Sequence, residues 1–266
     1  TAPLGLSGET NNKTFVFGVL ARSSCSTVTL NSVSCVVSIT TGTPPASVMA
    51  SGYVVQYGAG QIRIRPDWLV KNTEVASALV EFLQKTHQRP LRTGCFGLHE
   101  WAMVLGADEV RHEKWPLRLS QAEIRATIDE VGLRCTHFDA FRFFTPIAAP
   151  LNPLQLTRID QNDVEQPGCL HANMDLYKHA QRLAPIFGSQ LVRQAFELAK
   201  DIRTVDMQVA PYDLADLGVV PIPVETQDGR DEFAVHQMQF AQRAQEIRTQ
   251  MIVSIESAYV SALIQG

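Results

Sequence analysis

Three short segments of this 266-residue chain each set a cysteine close to a histidine and to charge-bearing side chains. They read Gly94-Cys95-Phe96-Gly97-Leu98-His99-Glu100-Trp101, Arg134-Cys135-Thr136-His137-Phe138-Asp139-Ala140-Phe141-Arg142 and Gly168-Cys169-Leu170-His171-Ala172-Asn173-Met174-Asp175. Imidazole, carboxylate and guanidinium are costly to bury among apolar residues, so a chain that repeats the arrangement is expected to use it. An enzyme is therefore the leading expectation, with two chemistries open.

The first chemistry is acid–base. On a strand, His137 and Asp139 share one face, which suits Asp139 as general base or electrostatic stabiliser with His137 as its partner. The bland alternative is a buried Asp–Arg–His network built from Asp139, Arg142 and His137. The second chemistry is metal ligation. On a helix His171, Asp175 and His179 lie one turn apart on one face, and an imidazole and a carboxylate so spaced can reach a single ion. The same spacing suits a simple Asp175–Lys178 or Asp175–His179 pair. Adding His99 and His137 gives a candidate set of His99, His137, His171 and Asp175, with Glu100 and Asp139 in reserve, suited to Zn or Fe. Cys95, Cys135 and Cys169 read as small buried hydrophobes, since no CxxC spacing is present. Arg134, Arg142 and Arg158 offer forked donors for carboxylate or phosphate. There is no GxGxxG, P-loop, GxSxG or HExxH motif; Met103 stands where the last would need its second histidine.

The elements that must position these residues are mainly helical. The pattern predicts a mainly α (α+β) domain over 59–266, with a few short strands and a long C-terminal helix. Gln61 to Arg65 alternates like a strand. Thr73 to Lys85 has a helical apolar face, and Ser120 with Glu123 forms a capping box for a helix over 121–131 that Gly132 ends. Leu133 to Phe144 reads as a buried strand or a core-lining helix, and the prolines at 146, 150 and 153 open an irregular loop to Gly168. Helices are predicted over 170–183 and 189–207, with Ser189 as N-cap. Val219 to Thr226 reads as an edge strand, because Pro221 and Pro223 exclude a central one. From Asp228 onward, Phe240, Ala244, Ile247, Met251, Ile255, Ala258 and Ala262 step by three and four along one final helix.

Residues 1–58 differ. The first 51 hold 17 Ser/Thr and three charged residues, which reads as a β-like or disordered N-terminal segment without site residues. The net charge is −4, and the tail from 204 holds three basic against nine acidic residues. A basic stripe, usual in generic nucleic-acid binders, is missing. No apolar run reaches eighteen residues, so no membrane span is expected. The odd cysteine count fits a reducing cytoplasm better than a disulfide framework.

Four strings, Cys95 to Met103, Arg134 to Pro146, Glu165 to Lys178 and Ala210 to Leu214, resemble a bacterial family that carries the name 3-methyladenine DNA glycosylase. The resemblance covers roughly residues 90–250; the residues before about 60 do not share the His- and Tyr-rich opening associated with that family. It implies a cofactor-free DNA-repair hydrolase that cleaves the N-glycosidic bond of a flipped, alkylated purine in damaged DNA. Asp139 first and Glu100 second would orient water or stabilise the oxocarbenium ion, with His137 and Arg142 in support. Trp101, Phe141 or Tyr177 would stack on the base. Beside it stand a metal-dependent enzyme acting on a small molecule and, third, a non-enzymatic helical interaction module using the acidic tail.

Overall fold

The computed structural model describes residues 36–38, 54–56, 61–110 and 112–264, with side chains described from Ile64 to Val260 apart from position 111. Most of the expected N-terminal segment, residues 1–58, therefore lies outside the described residues. Its two described pieces, β1 (Val36–Ser38) and β2 (Val54–Gln56), flank β3 (Gln61–Ile64) in one small antiparallel sheet of order β1-β3-β2. The register pairs Val37 with Ile62 and Val55 with Arg63.

The rest is helical. Pro66, whose fixed φ and missing N–H suit a first turn, opens α1 (Pro66–Gln88). A short α2 (His99–Val104) follows a tight approach at Gly97, whose φ is 69°. A Cβ there would lie 2.4 Å from Val209 Cγ2. Helix α3 (Gln121–Val131) begins with the expected capping box, Ser120 accepting from Glu123 N and Glu123 accepting from Ser120 N at 2.8 Å. The stretch Leu133 to His137 is extended without pairing into a sheet, and it leads into a single turn, α4 (Phe138–Phe141). The proline-rich loop includes a 3-10 turn at Ala149–Leu151 and α5 (Gln161–Val164).

Three long helices then supply most of the core. They are α6 (Leu170–Arg182), α7 (Ala184–Val209) and α8 (Gln227–Ile264). Helix α7 starts ahead of the expected Ser189, because Gly188 at φ 69° joins a short leading turn to the main helix through a kink. Helix α8 is capped by Thr226, whose hydroxyl accepts from Gly229 N at 3.1 Å. Its 38 residues span about 57 Å at 1.5 Å per residue. The expected edge strand at Val219 to Thr226 does not form. Ile222 N donates instead to Gln208 O at 2.9 Å, so the segment lies against the end of α7 and has no strand neighbour.

Helix α6 is held between α7 and α8. Arg248 of α8, 1% exposed, donates to Asn173 on α6 and to Gln245 at 2.9 Å. Asn173 Nδ2 donates to Pro167 O at 3.0 Å, and Gln237 of α8 donates to Gly168 O, so the entry to α6 is pinned from two sides. Helix α1 joins the bundle through Tyr259, whose hydroxyl donates to Leu69 O at 2.9 Å. No helix among the described residues is long and apolar enough to cross a membrane.

Trp101 is wholly buried, and its indole N–H donates to Val209 O at 2.8 Å. Trp101→Phe keeps most of the packing and strands that carbonyl, so a loss of about 1–3 kcal/mol in urea unfolding is expected with the fold retained. Unchanged stability would contradict a core role for this residue.

Candidate functional site

The first turns of α2 and α6 and the strand-like lead into α4 bring three histidines together. His99 starts α2, His137 caps α4 and His171 lies in the first turn of α6. The rings of His99 and His171 meet edge to face with centroids 4.3 Å apart. His171 in turn stacks on His137 at 5.2 Å and 17°. The result is an unbroken row of three imidazoles, His99–His171–His137.

Carboxylates close both ends of the row. At one end Asp206, on α7 and fully buried, brings Oδ1 to 3.2 Å from His99 Nε2. That distance is an ion pair, but the alignment is wrong for a hydrogen bond, and neither atom has another partner. Glu100 adds a second carboxylate: ligand atoms of His99, Glu100 and Asp206 all lie within 4.8 Å of one another. Arg203 pairs with Asp206 Oδ2 and lies 3.8 Å from Glu100 Oε1, while Glu100 Oε2 is buried without a partner.

At the other end His137 Nδ1 lies 2.9 Å from Oε2 of the buried Glu165. The Glu165 carboxylate can only accept, so Nδ1 donates in that pair, and Nε2 lies 3.8 Å from Asp175 Oδ2. Glu165 is itself held in place: Gln161 donates to it at 2.9 Å, and Arg89 of α1 donates to its carbonyl at 2.6 Å. Ligand atoms of His137, Asp139 and Asp175 form a second group within 4.8 Å. Asp139 is engaged by the Arg158 fork at 2.9 and 2.6 Å and by Arg142 Nε at 3.2 Å. Lys178 bonds Asp175 at 3.6 Å.

These surroundings set the protonation states. Burial pushes His171 down, and neighbouring His99 adds to the effect, so its pKa falls to about 3 and the ring is neutral with a lone pair to give. Burial opposes charge on His99 as well, but the Asp206 carboxylate outweighs it and raises the pKa above the usual imidazole value. Burial likewise works against ionised Asp206, and the charges of His99 and Arg203 override it to hold the carboxyl well below its usual range. The Arg158 fork lowers Asp139, which keeps it ionised but makes it a poor proton acceptor near neutrality.

The cysteines share the neighbourhood as thiols. Burial raises Cys135 to about 12 and Cys169 well above the ordinary value. Together with Cys95, His99, His171 and Gln166 they line a narrow throat of about 20 Å³, room for one water or one ion.

The structure thus gathers His99, Glu100, His137, Asp139, Arg142, His171 and Asp175. The three aromatic candidates stand differently. Trp101 is sealed in the core, and Tyr177 packs on Phe196 at 5.2 Å with its hydroxyl bonded to Gln181. Phe141 packs on Phe144 at 5.2 Å, a residue of the throat wall. His179 stands apart too, its ring against Phe82 at 5.7 Å and its Nε2 without a partner.

Two residues central to the site were not candidates. Asp206 had a signal: Leu191, Ala195, Leu198 and Ile202 step along the apolar face of α7, and Asp206 is the next position on that stripe. Glu165 had none, because a glutamate in an irregular loop reads as solvated until the fold buries it. Comparison with known proteins adds no relative: no family model, curated protein or solved structure matches the chain.

Removing Asp206's charge leaves the buried His99 side chain without its carboxylate, whereas Arg203 is half exposed and stays hydrated. Asp206→Asn is therefore expected to cost about 3–5 kcal/mol in urea unfolding, as for other broken buried pairs. A change below about 1 kcal/mol would mean the pair is screened after all. The depressed pKa of His171 also has a sign. The unfolded chain binds its proton near pH 6.5 and the folded chain only near 3. His171 therefore favours the fold above about pH 6.5, and that contribution is lost as pH falls toward 3. In metal-free protein, His171→Asn should show a shallower fall in urea midpoint between pH 7 and 4.5 than the parent chain. Parallel curves would refute the assignment.

Proposed function

We propose that the chain is a metal-dependent enzyme acting on a small molecule, with Zn or Fe held at one end of the imidazole row, by His99 with Glu100 and Asp206 or by His137 with Asp139 and Asp175. The observation that carries this reading is the contiguous row of three imidazoles, the middle one kept neutral, flanked by carboxylates. The fit can be judged from the polar atoms. His99 Nε2, Asp206 Oδ1 and Glu100 Oε2 are buried with no hydrogen-bond partner, a costly state that a cation would relieve. His137 carries the outer support usual for a metal-binding imidazole, a carboxylate on the far ring nitrogen.

A bound ion would supply Lewis acidity or an activated water. The chain's own residues do the rest. Glu165 orients His137, while Asp206 and Glu100 supply negative charge beside His99. Arg158 and Arg142 hold Asp139 away from proton transfer. The N-glycosidase reading, which rests on the resemblance, would need Asp139 free to face a nucleoside and an aromatic ring open to a base. Asp139 is instead tied to Arg158 and Arg142, so the metal reading is preferred.

Elemental analysis of untagged protein purified without chelator tests it. About one equivalent of Zn or Fe is expected, as for a mononuclear site. His99→Ala or His137→Ala, according to which end holds the ion, should drop it sharply, and at the His137 end Glu165→Gln should weaken retention about 10–100-fold. Substoichiometric metal in the parent chain, with no melting shift on adding Zn or Fe, would overturn the proposal. Release of 3-methyladenine from methylated DNA by chelated protein, lost in Asp139→Asn, would instead favour the glycosidase.

A further inference from the structure

Above the throat, on the side of Cys95 and Cys135, opens a larger cavity of about 590 Å³. That volume is within the range of small-molecule sites, and the two spaces share Cys95, Arg134, Cys135, Thr136 and Gln166 on their walls. Arg92 and Arg134 both line the outer cavity, and no acidic residue does. This is unusual for the chain. Arg65, Arg118, Arg125, Arg142, Arg158, Arg193, Arg203, Arg230 and Arg243 all bond a carboxylate, and Arg89 and Arg248 bond carbonyl or amide oxygens, whereas no ion pair or hydrogen bond engages the exposed guanidinium of Arg92, of Arg134 or, away from this wall, of Arg182 among the described residues.

Both arginines are set on rigid backbone. Gln166, 5% exposed, accepts from Arg92 N at 3.0 Å and from Gly168 N at 2.7 Å, and donates to Arg92 O at 3.3 Å. Asn152, 1% exposed, does the same for the residue after Arg134: it accepts from Cys135 N at 2.7 Å and donates to Cys135 O at 3.1 Å. Arg134 itself lies across Gly94. A Cβ at position 94 would stand 3.1 Å from Arg134 Nη1 and 3.3 Å from its Cδ, so the absence of a side chain there gives the arginine its path. Two buried amides, Gln166 and Asn152, each hold both backbone groups of one residue, Arg92 and Cys135, and so fix the two segments that carry the arginines.

We propose that this outer cavity binds the anionic group, carboxylate or phosphate, of the enzyme's small-molecule substrate through Arg92 and Arg134. Forked, unpaired guanidiniums in a concave wall without competing acids recognise planar or tetrahedral oxyanions. The throat beneath, too narrow for more than a water or an ion, joins this cavity to His99 and His171 through the shared wall. The anion site stands on its own residues; only the assignment of the anion to a substrate rests on the metal-enzyme reading.

The test is calorimetric titration of the full chain with inorganic phosphate and, separately, acetate, at low ionic strength with chelator present and chloride as the control. Saturable binding is expected, weakened about tenfold by Arg134→Ala or Arg92→Ala, the loss of one charge-assisted contact. Gly94→Ala, which displaces Arg134, should weaken it too, and Arg134→Lys should recover only part. Arg193→Ala, on the exposed face of α7, should change nothing. Phosphate without acetate would assign a phosphorylated substrate, and acetate without phosphate a carboxylic acid. Binding no better than chloride, or equal in Arg134→Ala and the parent, would overturn the proposal. Chelation keeps the readout independent of any ion in the imidazole row, and the metal content of Arg134→Ala should match the parent.

Discussion

Asp206 and Glu165 are shut off from water, and an ionised carboxylate in such a place persists only beside partners that replace its hydration. That requirement organises the centre of the molecule. Asp206 is compensated by His99 and Arg203, and Glu165 by His137 and Gln161. Each carboxylate therefore fixes one end of the imidazole row, and His171 fills the space between. Its own charge is excluded because both neighbours are imidazoles in a dry setting.

The helices are arranged so that this charged centre is reached from five parts of the chain. Helix α7 delivers Asp206 and Arg203, α6 delivers His171 and Asp175, and α2 delivers His99 and Glu100. His137 comes from the lead into α4, and Glu165 from the loop after α5. The loop would be free to move were it not tied by Arg89 from the end of α1. Arg248 plays a comparable part on the far side of α6. Burial lowers its pKa to about 10, and the nearby charge of Glu165 opposes that shift, so it remains a cation that helps balance the carboxylate. Removing water from the site and supporting its geometry are thus tasks of the same residues.

Much of this was legible in the chain. The Ser120–Glu123 box, the three-and-four stepping along α8 and the proline breaks mark elements whose causes are local, and local causes can be read from neighbours in sequence. The misread segments fail for one shared reason. Val219 to Thr226 has the look of a strand, but what decides is the partner available, and the partner is the end of a helix. Leu133 to His137 joins no ladder for the same kind of reason: the backbone groups of Cys135 at its centre are met by Asn152. Trp101 illustrates the matching difficulty for function. An aromatic residue beside a His–Glu pair is equally suited to a ligand and to a core, and only its burial and its bond to Val209 separate the two.

The sequence by itself determined which groups are available for chemistry: the three histidines, their neighbouring carboxylates and the arginines, each in a segment whose apolar surroundings make burial expensive. It also determined the helical class, because period and capping are properties of residues a few positions apart. The tertiary structure decided which of these groups meet. It joined His99, His137 and His171 into one row, turned Asp206 inward and buried Glu165. It also set Arg142 and Arg158 on Asp139 and left Arg92 and Arg134 without an acid on the cavity wall. Such pairings join residues up to about a hundred positions apart, and no local rule of spacing encodes them; they follow only when the apolar faces of α6, α7 and α8 have packed.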